Sequence, residues 1–197
     1  MERIRLEIKR QPIHMMLGFI LIALIKYDLL SPIPFAIIIL TAIGSSLYLK
    51  KKKPKRIYNL LRYVERPDAL ENFPGKGLIT YLIGALIAIV LFEKSTAMAA
   101  IIILALGDSV SRLVGPFGRI KHPFNDARFL EGVIAGFIAG ALGAMIFVSP
   151  SQAITASFVA MIIEGIDLKL FGIKVDDNII IPSLAGAAVW LMGIIAL

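Results

Sequence analysis

The chain has 197 residues, of which 58% are hydrophobic and 18% charged, with a mean hydropathy of +0.84 and a net charge of +7. Soluble domains are about 45–50% apolar and about 25% charged, so composition excludes an ordinary soluble domain and points to an integral membrane protein. The absence of cysteine excludes disulfides and cysteine-ligated zinc sites, and the opening MERIRLEIKRQPIH shows no cleavable signal pattern.

In chain order, windows of about 20 residues predict seven spans, at residues 13–30, 32–49, 77–92, 95–114, 129–148, 151–170 and 178–197. A spanning backbone must satisfy its own hydrogen bonds, which helices do without partners. The expected fold is therefore all-α: a polytopic bundle of about seven transmembrane helices forming a single domain over residues 1–197. With the N-terminus cytoplasmic, every Lys and Arg except Lys26 and Lys94 falls on the cytoplasmic side, as the positive-inside rule requires. The expectation is a multi-pass protein of the cell membrane.

The run KKKKPK at 50–55, with Arg56, directly follows the second span. It reads as a topology anchor that attracts anionic lipid headgroups, and no nucleic-acid partner is expected. The polar residues inside or beside the spans are more telling, because an ionisable group in a membrane helix is expensive and marks function. The segment GDSVSRLVGPFGRIK, residues 107–121, places Asp108 at the end of an apolar run. Arg112, Gly115, Gly118, Arg119 and Lys121 follow. Acid, glycines and bases in that order suggest a metal–phosphate site.

Asp108, Ser111, Arg112 and Gly115 share one helical stripe. Arg128 and Glu131 are one turn apart, which predicts either a mutual ion pair or two site residues. Glu164, Asp176, Asp177 and Asn178 converge on the same membrane face, with Asp167 and Asp176 expected as helix-terminus or loop charges. Gly132, Gly136 and Gly140 recur every fourth residue and predict a close helix contact. Gly75 and Gly77, flanking Lys76, and Gly115 and Gly118 instead sit in loops, where glycine lets backbone amides approach phosphate oxygens. His14 stands one turn after Arg10 at the start of the first span, either as an interface anchor or as a contact to phosphate or lipid headgroup. His122 is expected to be solvated.

These residues together resemble a family. Arg10 and His14, then PGKG at 74–77, then Gly107, Asp108, Gly115, Gly118 and Lys121, then Glu131–Gly132, Glu164, Asp177, Asn178 and Pro182 are similar to the pattern of the CTP-dependent polyprenol kinases. That group includes dolichol kinase, phytol kinase and CTP-dependent diacylglycerol kinase. The chain departs from the pattern at Arg128–Phe129, where the family carries lysine then serine or threonine, and at Gln11, where a second base is usual.

The resemblance implies transfer of the γ-phosphoryl group of CTP to a membrane lipid alcohol at the cytoplasmic face. Asp108, Asp177 and Glu164 are then the expected Mg²⁺ ligands, in that order, since Mg²⁺ takes one or two carboxylates and keeps several waters. Lys76, Arg112, Arg119, Lys121 and Arg128 would neutralise the triphosphate, with Gly75, Gly77, Gly115, Gly118 and Asn178 beside it. Asp108 or Glu131, or else His14, would accept the alcohol proton. A dolichol-like polyprenol is the expected acceptor, with diacylglycerol, phytol or geranylgeraniol as rivals. A CDP-lipid synthase would share the GD motif and the use of CTP. A small transporter would place its acids nearer the midplane. Oligomeric state is not legible in the chain.

Overall fold

In a computed structural model the described residues are 2–166, 169–170 and 173–195. Asp167, the side chains of Arg3, Lys169 and Lys174, and the last two residues of the predicted seventh span lie outside them.

The chain is a helical bundle. Helix α1 (Glu2–Lys26) is followed by α2 (Pro32–Lys52), two short helices α3 (Lys55–Leu61) and α4 (Pro67–Asn72), and α5 (Lys76–Leu91). Next comes a continuous rod made of α6 (Lys94–Ile102), a π-helical turn at Ile103–Asp108, α7 (Ser109–Val114) and a 3₁₀ turn at Gly115–Phe117. A hairpin of β1 (Lys121–His122) and β2 (Asn125–Phe129) leads into α8 (Leu130–Ala144) and α9 (Pro150–Gly165). A second small hairpin, β3 (Lys169–Leu170) and β4 (Ile173–Lys174), leads into α10 (Asp177–Ile195). Among the described residues four helices are long and apolar enough to cross a membrane: Ile4–Lys26, Pro32–Lys52, Lys94–Phe117 and Asp177–Ile195. Lys76–Leu91 and Leu130–Ala144 are apolar but shorter.

Two predicted boundaries move. The first predicted span began at residue 13, yet α1 runs from Glu2 through Arg10 and Gln11 and ends at Lys26, before a turn in which Asp28 adopts a positive φ of 56°. Hydropathy cannot see the earlier turns because their polar side chains are partnered: Glu7 accepts hydrogen bonds from Gln11 and Arg66. Residue 129, predicted to open a span, instead closes β2, so Arg128 and Glu131 are not on one helix.

The rod Lys94–Phe117 is the centre of the bundle, with 72% of its most apolar window buried, against 17% for α2 at the periphery. Small residues make that position possible. Ala97, Ala99, Ala100 and Ala105 are fully or almost fully buried, which lets α1, α8 and α10 approach the rod closely. The predicted glycine contact is present. A side chain at Gly132 would meet the backbone of Gly115 and Ser111, and one at Gly136 the carbonyl of Gly107.

Gly84 plays the same part between α5 and α10, where an added methyl would run into the Asn178 carbonyl and the Pro182 ring. Gly84→Ala is therefore expected to destabilise the fold by about 1–3 kcal/mol, the usual range for overpacking. Gly44→Ala, which meets nothing within 4 Å, should leave the unfolding temperature in detergent unchanged or slightly raised.

Candidate functional site

Charged side chains meet at one end of the bundle, where α1, α5 and α10 begin and the central rod ends. They surround a cavity of about 510 Å³. Arg10, Arg66, Lys76, Arg112 and Arg128 contribute positive charge to its wall, and Glu7, Asp176 and Asp177 negative charge.

The centre of the wall is one guanidinium shared by two acids. Arg112 Nε donates to both oxygens of Asp108 at 2.7 and 2.8 Å, and its Nη2 donates to Asp177 Oδ2 at 2.9 Å. The spacing of four residues between Asp108 and Arg112 puts them on one helical face, and α10 brings Asp177 across from 65 positions away. Arg128, projecting from β2, extends the chain of charges. Its Nη2 donates to the same Asp177 oxygen at 3.1 Å and its Nη1 pairs with Glu164. Ser111 Oγ closes the network by donating to Glu164 Oε2 at 3.1 Å. Acids and bases thus alternate from Asp108 to Glu164, and each buried carboxylate is met by a guanidinium, as burial of charge demands.

Both glycine loops are occupied by carboxylates of the chain itself. In PGKG, Gly75 takes the left-handed conformation, φ +82°, at the start of α5. The amides of Gly75 and Gly77 donate to Glu65 at 2.8 and 3.4 Å. Lys76, between them, reaches toward Asp176 at 3.7 Å. In the other loop, the amides of Arg119 and Ile120 donate to Glu131 at 2.7 and 3.1 Å. Gly118 packs so tightly on Glu131 and Phe129 that no side chain would fit. Glu65 and Glu131 therefore set the shapes of the two loops.

Of the residues singled out from sequence, Arg10, Lys76, Ser111, Arg112, Gly115, Arg128, Asp177 and Asn178 line the cavity. Asp108 and Glu164 lie just beneath it, 2% and 1% exposed, bonded to arginines of its wall. Gly75, Gly77, Gly118, Arg119, Lys121 and Glu131 are not brought to its lining. Lys121 instead faces Asp126 at 3.9 Å on the surface. Arg128 and Glu131 do not pair with each other; each is taken by the partners described above. His14 does not line the cavity. It is buried, edge-on to the Tyr81 ring with centroids 5.3 Å apart. His122 is likewise buried, against Gly165, and is not solvated. Asn178 spends its side-chain amide on Gly77 O and Thr80 Oγ1, at 3.2 and 3.0 Å, which fastens α10 to α5.

Glu7, Arg66 and Asp176 are cavity residues that motif reasoning passed over. Asp176 does act at a helix terminus, accepting from the Asn178 amide at 3.2 Å, but it also faces Lys76. Glu7 was findable: Glu7, Arg10, Gln11 and His14 recur at the helical interval on one face of α1. Arg66, which donates to Glu7 at 2.7 Å from 59 residues away, left no local signal.

Among the described residues no group of three or more His, Asp or Glu side chains could hold a metal ion. Arginines are interleaved among the carboxylates, so the arrangement suits a cation that arrives already bound to phosphate more than a resident metal.

No protein-family model matches the chain, and no solved structure matches it. A curated relative, an uncharacterized protein of Methanocaldococcus jannaschii, is 29% identical over 182 residues, which is 89% of this chain and 88% of the relative.

Proposed function

We infer that the chain is a seven-span lipid kinase that transfers the γ-phosphoryl group of CTP to a dolichol-like polyprenol at the cytoplasmic face of the membrane. The observation that carries this reading is the Arg112 guanidinium held between Asp108 and Asp177 at the wall of a cavity with four further cations. Phosphoryl transfer depends on positioning and charge neutralisation more than on covalent chemistry from the protein. A cavity with five cations at the edge of an apolar bundle offers both, with nucleotide entering from water and the lipid hydroxyl from the leaflet. The helices α1, α2, α5, the central rod, α8, α9 and α10 supply the seven spans. Lys26 and Lys94 then lie at the far end, as the positive-inside rule prefers.

In this reading Lys76, Arg10, Arg66, Arg112 and Arg128 neutralise the triphosphate where charge gathers in the transition state. The lipid oxygen bonds to the γ-phosphorus as the bond to the β-bridging oxygen breaks, and CDP leaves. Asp176 and Asp177 are carboxylates of the cavity wall that would take the alcohol proton. Glu131 is a poor base, because its carboxylate is occupied by the turn at 119–120. Mg²⁺ would enter with the triphosphate and would supply neutralisation of its charge. Of the three expected ligands Asp177 is the one that lines the cavity and would hold the cation, with Asp108 and Glu164 behind the arginines.

The test is purified protein in detergent with Mg²⁺, labelled CTP and a panel of polyprenol, phytol, geranylgeraniol and diacylglycerol. CDP and a phosphorylated lipid are expected. Pyrophosphate release would assign the CDP-lipid synthase reaction instead, and absence of turnover with every acceptor would overturn the enzyme reading.

A further inference from the structure

The hairpin that walls one side of the cavity carries an apolar surface on its other side. Phe117, Ile120 and Phe124 are 73%, 59% and 75% exposed, within a segment that otherwise presents charge and backbone. Exposed clusters of large apolar side chains mark interaction surfaces. The position of this one identifies its partner. The Ile120 carbonyl accepts from the Leu130 amide at 2.9 Å, which seats Ile120 over the first turn of α8. From there Ile134, Ile138 and Leu142 follow every fourth residue, all exposed, on the side of α8 opposite the glycines that face the rod, and the exposed Ile146 lies in the turn just past its end. The apolar surface of the hairpin thus continues the outward stripe of an apolar helix beyond its end.

Basic residues alternate with these side chains: Arg119 and Lys121 are both exposed. Long basic side chains beside aromatic and aliphatic ones suit the boundary between headgroups and acyl chains, where the stem is buried and the charge reaches an anionic phosphate.

We propose that residues 115–129 form a membrane-seated flap, with Phe117, Ile120 and Phe124 inserted at the headgroup–acyl boundary and Arg119 and Lys121 at anionic headgroups. The opposite side of the flap, through Pro116, Asn125 and Ala127, lines the cavity. The flap is therefore the partition between bilayer and cavity, and a lipid headgroup reaches the charged wall by passing its edge. This inference goes beyond the kinase reading and needs only the membrane setting.

Trp190 is the single tryptophan, which allows a direct test. Phe124→Trp is made in a Trp190→Phe background and reconstituted into phosphatidylcholine–phosphatidylglycerol vesicles containing brominated lipid. Its emission is expected to be blue-shifted. Bromines near the carbonyl end of the chain should quench it at least about twofold more than bromines near the methyl end, as insertion by ~5–10 Å requires. Phe117→Trp provides a second probe should the first variant fail to fold, and Ala127→Trp, on the cavity side, is expected to escape quenching. Absence of bromine quenching at both 117 and 124, or equal quenching at 127, would overturn the flap. A blue shift without quenching would assign the surface to a protein partner and overturn it equally. Catalysis does not enter the measurement, so this result and the kinase assay fail independently.

Discussion

Arg112→Met is expected to be among the most damaging single substitutions in the chain, lowering stability by about 3–5 kcal/mol. The Arg112, Asp108 and Asp177 side chains are 11%, 3% and 14% exposed, so removal of the guanidinium strands the buried Asp108 carboxylate and leaves Asp177 with Arg128 alone. Uncompensated buried charge, more than the lost attraction, makes such a change severe. For a domain of this size the apparent Tm in detergent should fall by roughly 10 °C. Arg112→Lys should rescue little, because one ammonium cannot reproduce a flat fork bonded to two oxygens of Asp108 and one of Asp177. Adding Asp108→Leu to Arg112→Met removes the stranded charge and should restore much of the stability while leaving the protein inactive. A wild-type Tm for Arg112→Met would show that the network does not hold the helices together.

This dependence explains which parts of the protein were legible in its sequence. The apolar helical character was, because hydropathy over about 20 residues is a local property, and four of the described helices are long and apolar enough to cross a membrane. The stripe from Asp108 to Gly115 was too, since helical periodicity fixes it within two turns. What joins Arg112 to Asp177, or Arg66 to Glu7, is a crossing of helices, and no local pattern encodes it. The early turns of α1 were hidden for the same reason: Glu7 and Arg10 look hostile to a membrane until their distant partners are known.

The glycine loops show a different limit. Gly75, Gly77 and Gly118 were read as places where backbone amides approach phosphate oxygens; the amides of Gly75 and Gly77, and those that follow Gly118, donate to carboxylates of the chain. The sequence could not show that the approaching groups are Glu65 and Glu131. A carboxylate and a phosphate oxygen ask the same of a backbone amide, so a loop shaped to receive one is indistinguishable in sequence from a loop shaped to receive the other. Glu131 therefore moves from a candidate base to a group that positions the loop, and the site's cations come from side chains rather than amides.

Asp177→Asn separates the two tasks that its carboxylate can perform. If Asp177 receives the divalent cation carried by the nucleotide, the amide should lower turnover on the order of 10²-fold or more, the scale of losing one directed electrostatic contact. Binding of CTP without metal should persist or tighten, because Arg112 and Arg128 are released toward the phosphates. The fold should survive, since Arg112 keeps its two bonds to Asp108 and Arg128 keeps Glu164. If Asp177 serves only to restrain the two arginines, turnover should change a few-fold at most and the dependence on Mg²⁺ should match that of the wild type. Asp176→Asn is the companion variant: asparagine caps a helix about as well as aspartate and Thr80 and Lys76 remain beside it, so a loss of turnover there with unaltered metal dependence reports on the alcohol proton rather than on the cation. Equilibrium binding of labelled CTP with and without Mg²⁺, set beside turnover for the same three proteins, distinguishes the outcomes. A fully active Asp177→Asn with unaltered metal dependence would remove this residue from the chemistry and leave it a structural counterion.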